Sequence, residues 1–152
     1  MKEYLMKLNF SFLAVLILAF GLSACATSSG VIVNPNVAKT QYRSVYVVAH
    51  QDQSRDMDAL LEKELLRHGL SVKSGGERDV PEDSQLIFKY VDDWKWDIKM
   101  YLRAYEIEVY DAKTNVLLAT ADWKNSVMHG FYEEDKIVAQ VVDQTLGKIS
   151  AK

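Results

Sequence analysis

Between Lys7 and Lys39 the chain carries no formal charge. Inside that stretch the apolar run Phe10-Ser11-Phe12-Leu13-Ala14-Val15-Leu16-Ile17-Leu18-Ala19-Phe20 follows a start bearing Lys2, Glu3 and Lys7. The run is about 11 residues, well short of the roughly 20 that carry a helix across a bilayer. A charged start followed by a short apolar core is the pattern of a secretory leader, which is cut away and takes no part in the fold. The chain has 152 residues. What remains after a leader suffices for one compact domain and is too little for an enzyme of two large lobes.

After Phe20 the residues become small, and Leu22-Ser23-Ala24-Cys25 places the only cysteine of the chain directly after a Leu-Ser-Ala triplet. This segment resembles the lipobox of bacterial lipoprotein precursors. The resemblance implies cleavage between Ala24 and Cys25, with residues 1–24 as signal peptide and a mature chain that starts at a diacylglycerol-modified, N-acylated Cys25. Several acyl chains (palmitate is the usual type), each worth about 0.8 kcal/mol per buried methylene, make such an anchor effectively permanent without a transmembrane helix. Ala26, in place of the aspartate that retains lipoproteins at the inner membrane, implies the outer membrane with the protein facing the periplasm. A lone, lipidated cysteine forms no internal disulfide and serves as neither nucleophile nor metal ligand.

Hydrophobic residues make up 49% of the chain and charged residues 26%, a globular balance rather than a disordered one. Of the 18 basic and 21 acidic side chains, the leader would remove Lys2, Lys7 and Glu3, leaving 16 and 20. Nucleic-acid binding needs concentrated positive charge, and no basic stripe is present, so nucleic acid is not an expected partner.

Residues 25–41 are small or polar, with Pro35 and two asparagines, and suit a tether between lipid and domain; Val31, Ile32 and Val33 could alternatively dock as an edge strand. A single domain is expected over 42–149. Tyr42–Ala49 is dense in β-branched and aromatic residues, as a strand requires. Ser54 can cap a helix over 55–68 whose apolar stripe is Met57, Leu60, Leu61, Leu65 and His68, with Gly69 as a left-handed stop. Leu70–Val72 resumes as strand, and 74–83, with Gly75-Gly76 and Pro81, is expected to be a mobile loop. Leu86–Val91 is the next strand, with Asp92-Asp93 and Trp94–Asp97 turning the chain into a long strand over 98–110. There Met100, Leu102 and Ala104 share one parity while Ile107 and Val109 share the other, which implies a bulge near 104–106 or a change in which face is covered. Residues 111–115 form a hairpin loop with Asn115 at positive φ, and 116–123 returns antiparallel. Glu133, Glu134 and Asp135 open a last helix with the stripe Ile137, Val138, Val141, Val142, Leu146 and Ile149. The expected fold is α+β, a two-layer sandwich in which two helices cover one face of a four- or five-stranded mixed sheet.

Chemistry is sparse in this sequence. His50, His68 and His129 are scattered with no zinc-ligand spacing, so neither metal nor cofactor is expected. Asp92, Asp93 and Asp97 form an acidic cluster near aromatics that could serve glycoside hydrolysis or a divalent cation, although aspartates also favour turns for backbone reasons. Ser126 and His129 lack the surroundings of an activated nucleophile, and Gly75-Gly76 lacks the phosphate-loop continuation. The unusual feature is aromatic: Trp94, Trp96, Tyr101, Tyr105, Trp123 and Phe131 crowd the long hairpin and the segment just beyond it. They suit a core and its coat, or an interaction surface.

Val45-Tyr46-Val47-Val48, the helix end Leu65-Leu66-Arg67-His68-Gly69, and Asp111 followed by Val116-Leu117-Leu118-Ala119 resemble small periplasmic modules of envelope lipoproteins. These include the amino-terminal domain of the Tol–Pal translocation protein TolB and the related domain of curli-secretion lipoproteins. The resemblance covers roughly 42–149 and implies a binding or assembly module with an envelope-protein partner and no catalytic residues. The alternatives are a carrier or sensor of a small lipid or glycan, and a hydrolase using Asp92, Asp93 or Asp97.

Overall fold

The computed structural model describes residues 27–49, 56–126 and 128–151. The leader, the cleavage site, Cys25, His50 and the Ser54 cap lie outside the described residues. Six strands, β1 (Ser28–Val33), β2 (Ser44–Val48), β3 (Ser71–Gly75), β4 (Leu86–Trp96), β5 (Met100–Asp111) and β6 (Leu117–Lys124), form one mixed sheet. Their spatial order is β1-β6-β5-β4-β2-β3. Two α-helices, α1 (Met57–Arg67) and α2 (Glu134–Ile149), pack against the sheet. The α+β sandwich is therefore as expected.

The sheet gains a strand because β1 pairs antiparallel with β6, from Ser28 opposite Lys124 to Val33 opposite Ala119. Six residues of the segment read as tether thus join the sheet, as the edge-strand alternative expected. Val31 and Val33 pack against the core while Ile32 stays exposed, the alternation a strand imposes. Lys148 of α2 donates to the Val31 carbonyl at 2.9 Å, fastening the edge strand to the helix layer.

The core lies between sheet and helices. Val45 and Val47, Leu86 and Phe88, Ile107 and Val109, and Ala121 and Trp123 meet Met57, Leu61 and Leu65 of α1 and the whole expected stripe of α2. Burying each of the larger aliphatic and aromatic side chains here contributes about 1.5–3 kcal/mol before entropy is counted. Thr145 is buried within the α2 stripe and donates its hydroxyl to the Val141 carbonyl at 2.7 Å, which removes the cost of an orphan donor.

Three local features differ from the sequence expectation. Asp92-Asp93 is not a turn: the β4–β5 ladder runs on to Trp96 opposite Met100, and the reversal falls at 97–99. The parity slip in β5 is real but sits earlier than expected. Asp93 pairs with Ala104 while Trp94 pairs with Leu102, so Arg103 has no opposite residue. That extra residue lets Leu102 and Tyr105 both face the core. The segment after β3 is structured as well. A 3-10 turn at Glu77–Asp79 leads Val80 onto Tyr46, Val48 and Ile87 on the sheet face away from the helices, and the Tyr46 hydroxyl donates to the Gly76 carbonyl at 2.9 Å. Part of the sheet face opposite the helices is thereby covered by the chain itself.

Gly69 (φ 78°) and Asn115 (φ 54°) take the left-handed conformation expected of them. At the second position Asp111 organises the turn, accepting from the Thr114 amide at 2.8 Å, the Thr114 hydroxyl at 2.9 Å and the Lys113 amide at 3.1 Å. These bonds, the Thr114 amide above all, hold its carboxyl below the ordinary aspartate range.

Candidate functional site

The aromatic set divides by depth. Tyr105 (0% exposed) and Trp123 (2%) belong to the core, because the bulge at Arg103 and the parity of β6 turn both toward the helices. They are corrected from the interaction surface to the interior. Trp94 is half-buried against that core, and its ring N–H donates to Asp92, two residues back on the same strand face. Trp96 (72% exposed), near the end of the hairpin, stands in solvent, as does Ile98 (84%) within the turn.

Tyr101 and Phe131 stay at the surface and form a stack that the spacing of the letters does not reveal. The His129 ring lies over Tyr101 at 4.2 Å and 8°, and Phe131 meets both edge-on at 6.0 and 5.8 Å. His129 Nε2 is 2.9 Å from an Asp97 carboxylate oxygen, and Lys99 Nζ sits 4.6 Å above the Phe131 ring. The loop carrying His129 is fixed by Asn125, whose amide donates to the Leu102 and Gly130 carbonyls and whose carbonyl oxygen accepts from the Gly130 amide at 3.0 Å. A Cβ at Gly130 would stand 2.7 Å from the ring of half-exposed Tyr132, so a larger residue there would have to displace that side chain. The outcome is a braced hairpin tip whose outermost groups, Trp96, Ile98 and Met128, remain exposed and apolar.

The acidic cluster does not converge. Asp92 lies under Trp94, Asp93 on the opposite strand face accepts from Arg103 Nε at 2.6 Å, and Asp97 serves His129 at the tip. Ser126 offers its carbonyl to the His129 amide, and the imidazole is directed to Asp97. One polar pair stands out in the interior: the Tyr105 hydroxyl and Asp92 Oδ1 are both buried without a hydrogen-bond partner. Burial pushes the Tyr105 phenol far above its ordinary range, with Tyr90 and Asp92 adding to the shift.

The sequence also missed a meeting of polar side chains between the helices. Glu64 and His68 are four residues apart on α1 and face Asp143 of α2. The signal was there as an i, i+4 pair on one helix face, but its third member is far along the chain.

No family model and no curated protein matches the chain. Among solved structures it is similar to the PelC dodecamer from Paraburkholderia phytofirmans, with a TM-score of 0.56 at 10% identity over 84% of this chain and 99% of that one. A variant of the same dodecamer gives 0.52 at 12% identity over the same shares. TolB from Acinetobacter baumannii gives 0.47 at 13% identity over 82% of this chain and 32% of that one, too low to support kinship. At these identities the likeness to PelC is one of fold.

Proposed function

We propose that the protein is a lipid-anchored cell-envelope module that acts by binding and assembly rather than catalysis, held by Cys25 at the periplasmic face of the outer membrane. The observation that carries this reading is the braced β4–β5 tip, with Trp96 and Ile98 exposed at its end. Rigid support for large apolar side chains that water does not favour is what an interaction site needs and what a core does not explain.

The strand register supports a location for the partner. Ser28, Lys124, Ala104 and Asp93 form one row across the sheet, and the tip projects beyond that row on the side from which β1 enters. Cys25 precedes Ser28 by three residues, a reach of about 10 Å. An acylated Cys25 therefore keeps the tip near the bilayer, where it meets a membrane-seated envelope protein or a neighbouring anchored copy. The fold likeness to a protein that forms a dodecamer favours copies of this chain.

The test is the mass of the lipidated protein in mild detergent, compared with a Trp96→Ser, Ile98→Ser double variant, and in-cell crosslinking of both. A wild-type oligomer or a single crosslinked envelope protein, reduced at least tenfold in the folded variant, supports the proposal. A monomer without crosslinked partners, or an assembly indifferent to both substitutions, overturns the assignment of this surface.

A further inference from the structure

The side chains joining α1 to α2 are arranged around a point where a cation fits. Glu64 and His68 project from one face of α1, and Asp143 faces them from α2. His68 Nε2 lies 2.7 Å from Asp143 Oδ1 and 3.7 Å from Glu64 Oε1, and one ligand atom from each of the three residues falls within 4.8 Å of the others. Tetrahedral zinc with bonds of about 2.0–2.1 Å wants its ligand atoms about 3.4 Å apart. The two separations from His68 bracket that value, and the Glu64 and Asp143 oxygens lie within 4.8 Å of each other, so the three would draw together to hold an ion.

Two carboxylates and an imidazole meet here, with Arg67 and Arg43 as the neighbouring cations. Glu64 is nearly buried, and Arg67 Nη1 holds its Oε2 at 3.0 Å, which leaves Oε1 turned toward His68. That ion pair fixes the glutamate much as outer-shell partners fix metal ligands. His68 and Asp143 border an open groove of about 480 Å³, further lined by Arg43, Leu70, Leu146, Gly147 and Ser150. The C-terminal ends of both helices meet this groove, α1 closing at Arg67 and α2 at Ile149. Arg43 also lines the groove and, with Arg67, opposes a bound cation.

We propose that Glu64, His68 and Asp143 form a binding site for a divalent transition cation of the zinc class, with its remaining coordination position open to the groove. One imidazole and two carboxylates match that class, whereas magnesium and calcium favour all-oxygen shells. The site lies apart from the hairpin tip and does not rest on the assembly reading. Bridging the helices near their C-terminal ends, the ion would tie together the layer that covers the sheet.

The experiment is calorimetric titration of the purified full chain with zinc chloride, and separately with magnesium chloride, for wild type, His68→Gln and Asp143→Asn. Asp143 is mostly exposed, so its asparagine variant retains the fold even where a change at His68 disturbs the helix end. Expected is saturable 1:1 zinc binding by wild type, at least tenfold weaker in each variant, with no comparable magnesium binding. Absence of saturable zinc binding, or zinc binding unchanged in both folded variants, overturns the proposal and leaves the three residues as a helix–helix clamp only.

Discussion

Tyr105→Phe removes one oxygen and leaves the packing of the ring in place. The hydroxyl is buried at the centre of β5 and has no hydrogen-bond partner, while Asp92 Oδ1, on the residue opposite it in the ladder, is also unsatisfied. Leaving a buried polar group unpaired costs about 1–3 kcal/mol. Deleting it should therefore stabilise the fold by about 1 kcal/mol, which for a domain of this size raises Tm by roughly 4 °C. The pH dependence supplies an independent check. Because burial raises the folded-state pKa of Tyr105, ionisation leaves stability unchanged below the unfolded tyrosine value of about 10, and stability falls as pH rises beyond it. Above that value unfolding releases one proton from this phenol, a slope of about 1.4 kcal/mol per pH unit that phenylalanine abolishes. Urea unfolding of both proteins at pH 7 and above pH 10 measures both effects. If the variant is less stable by 1 kcal/mol or more at pH 7, the hydroxyl is bonded and the reasoning fails.

Three further outcomes rest on named contacts. Leu61→Ala, at a fully buried α1 position, should cost about 2–5 kcal/mol, whereas Leu66→Ala on the exposed face of the same helix should stay within about 0.5 kcal/mol; chemical denaturation of the pair tests which face packs. Asp111→Ala strips the β5–β6 turn of three accepted bonds and should lose about 1 kcal/mol at neutral pH. Since the folded-state pKa of Asp111 is lowered, that contribution is present above the unfolded aspartate value of about 3.9 and disappears as pH falls toward the folded one, so wild type and variant should converge in acid unfolding. Cys25→Ala should abolish lipidation and release the chain from membranes, read by fractionation and intact mass; unchanged membrane association and unchanged mass would sink the lipobox assignment.

The helices were legible because each buries a stripe at helical spacing, and Val138, Val141, Val142, Leu146 and Ile149 admit no other periodicity. The bulge was legible as a parity slip, though its position at Arg103 depends on the partner strand, which the slip alone does not specify. Strand β1 was harder to read. Its six residues look like spacer until β6 supplies the ladder, and the β6 segment lies far away in sequence. The aromatic residues were equally ambiguous, since a tryptophan at position 94, 96 or 123 has the same chemistry whichever side of a strand it occupies. Only register separates buried Trp123 from exposed Trp96. Glu64, His68 and Asp143 converge because α1 and α2 cross, and helix crossing has no signature in a linear pattern.

The pairing of β1 with β6 also sets an order of events. Ser28 meets Lys124, a partner 96 positions later, so this ladder closes a loop that spans nearly the whole domain. Contacts of such separation carry the largest closure entropy and form late. A chain delivered from its amino terminus presents Val31-Ile32-Val33 first and must wait for the last hairpin before that segment finds its place. Until then an apolar strand with free backbone groups stands open, which makes it the segment most exposed to mispairing and the one a chaperone has most reason to hold.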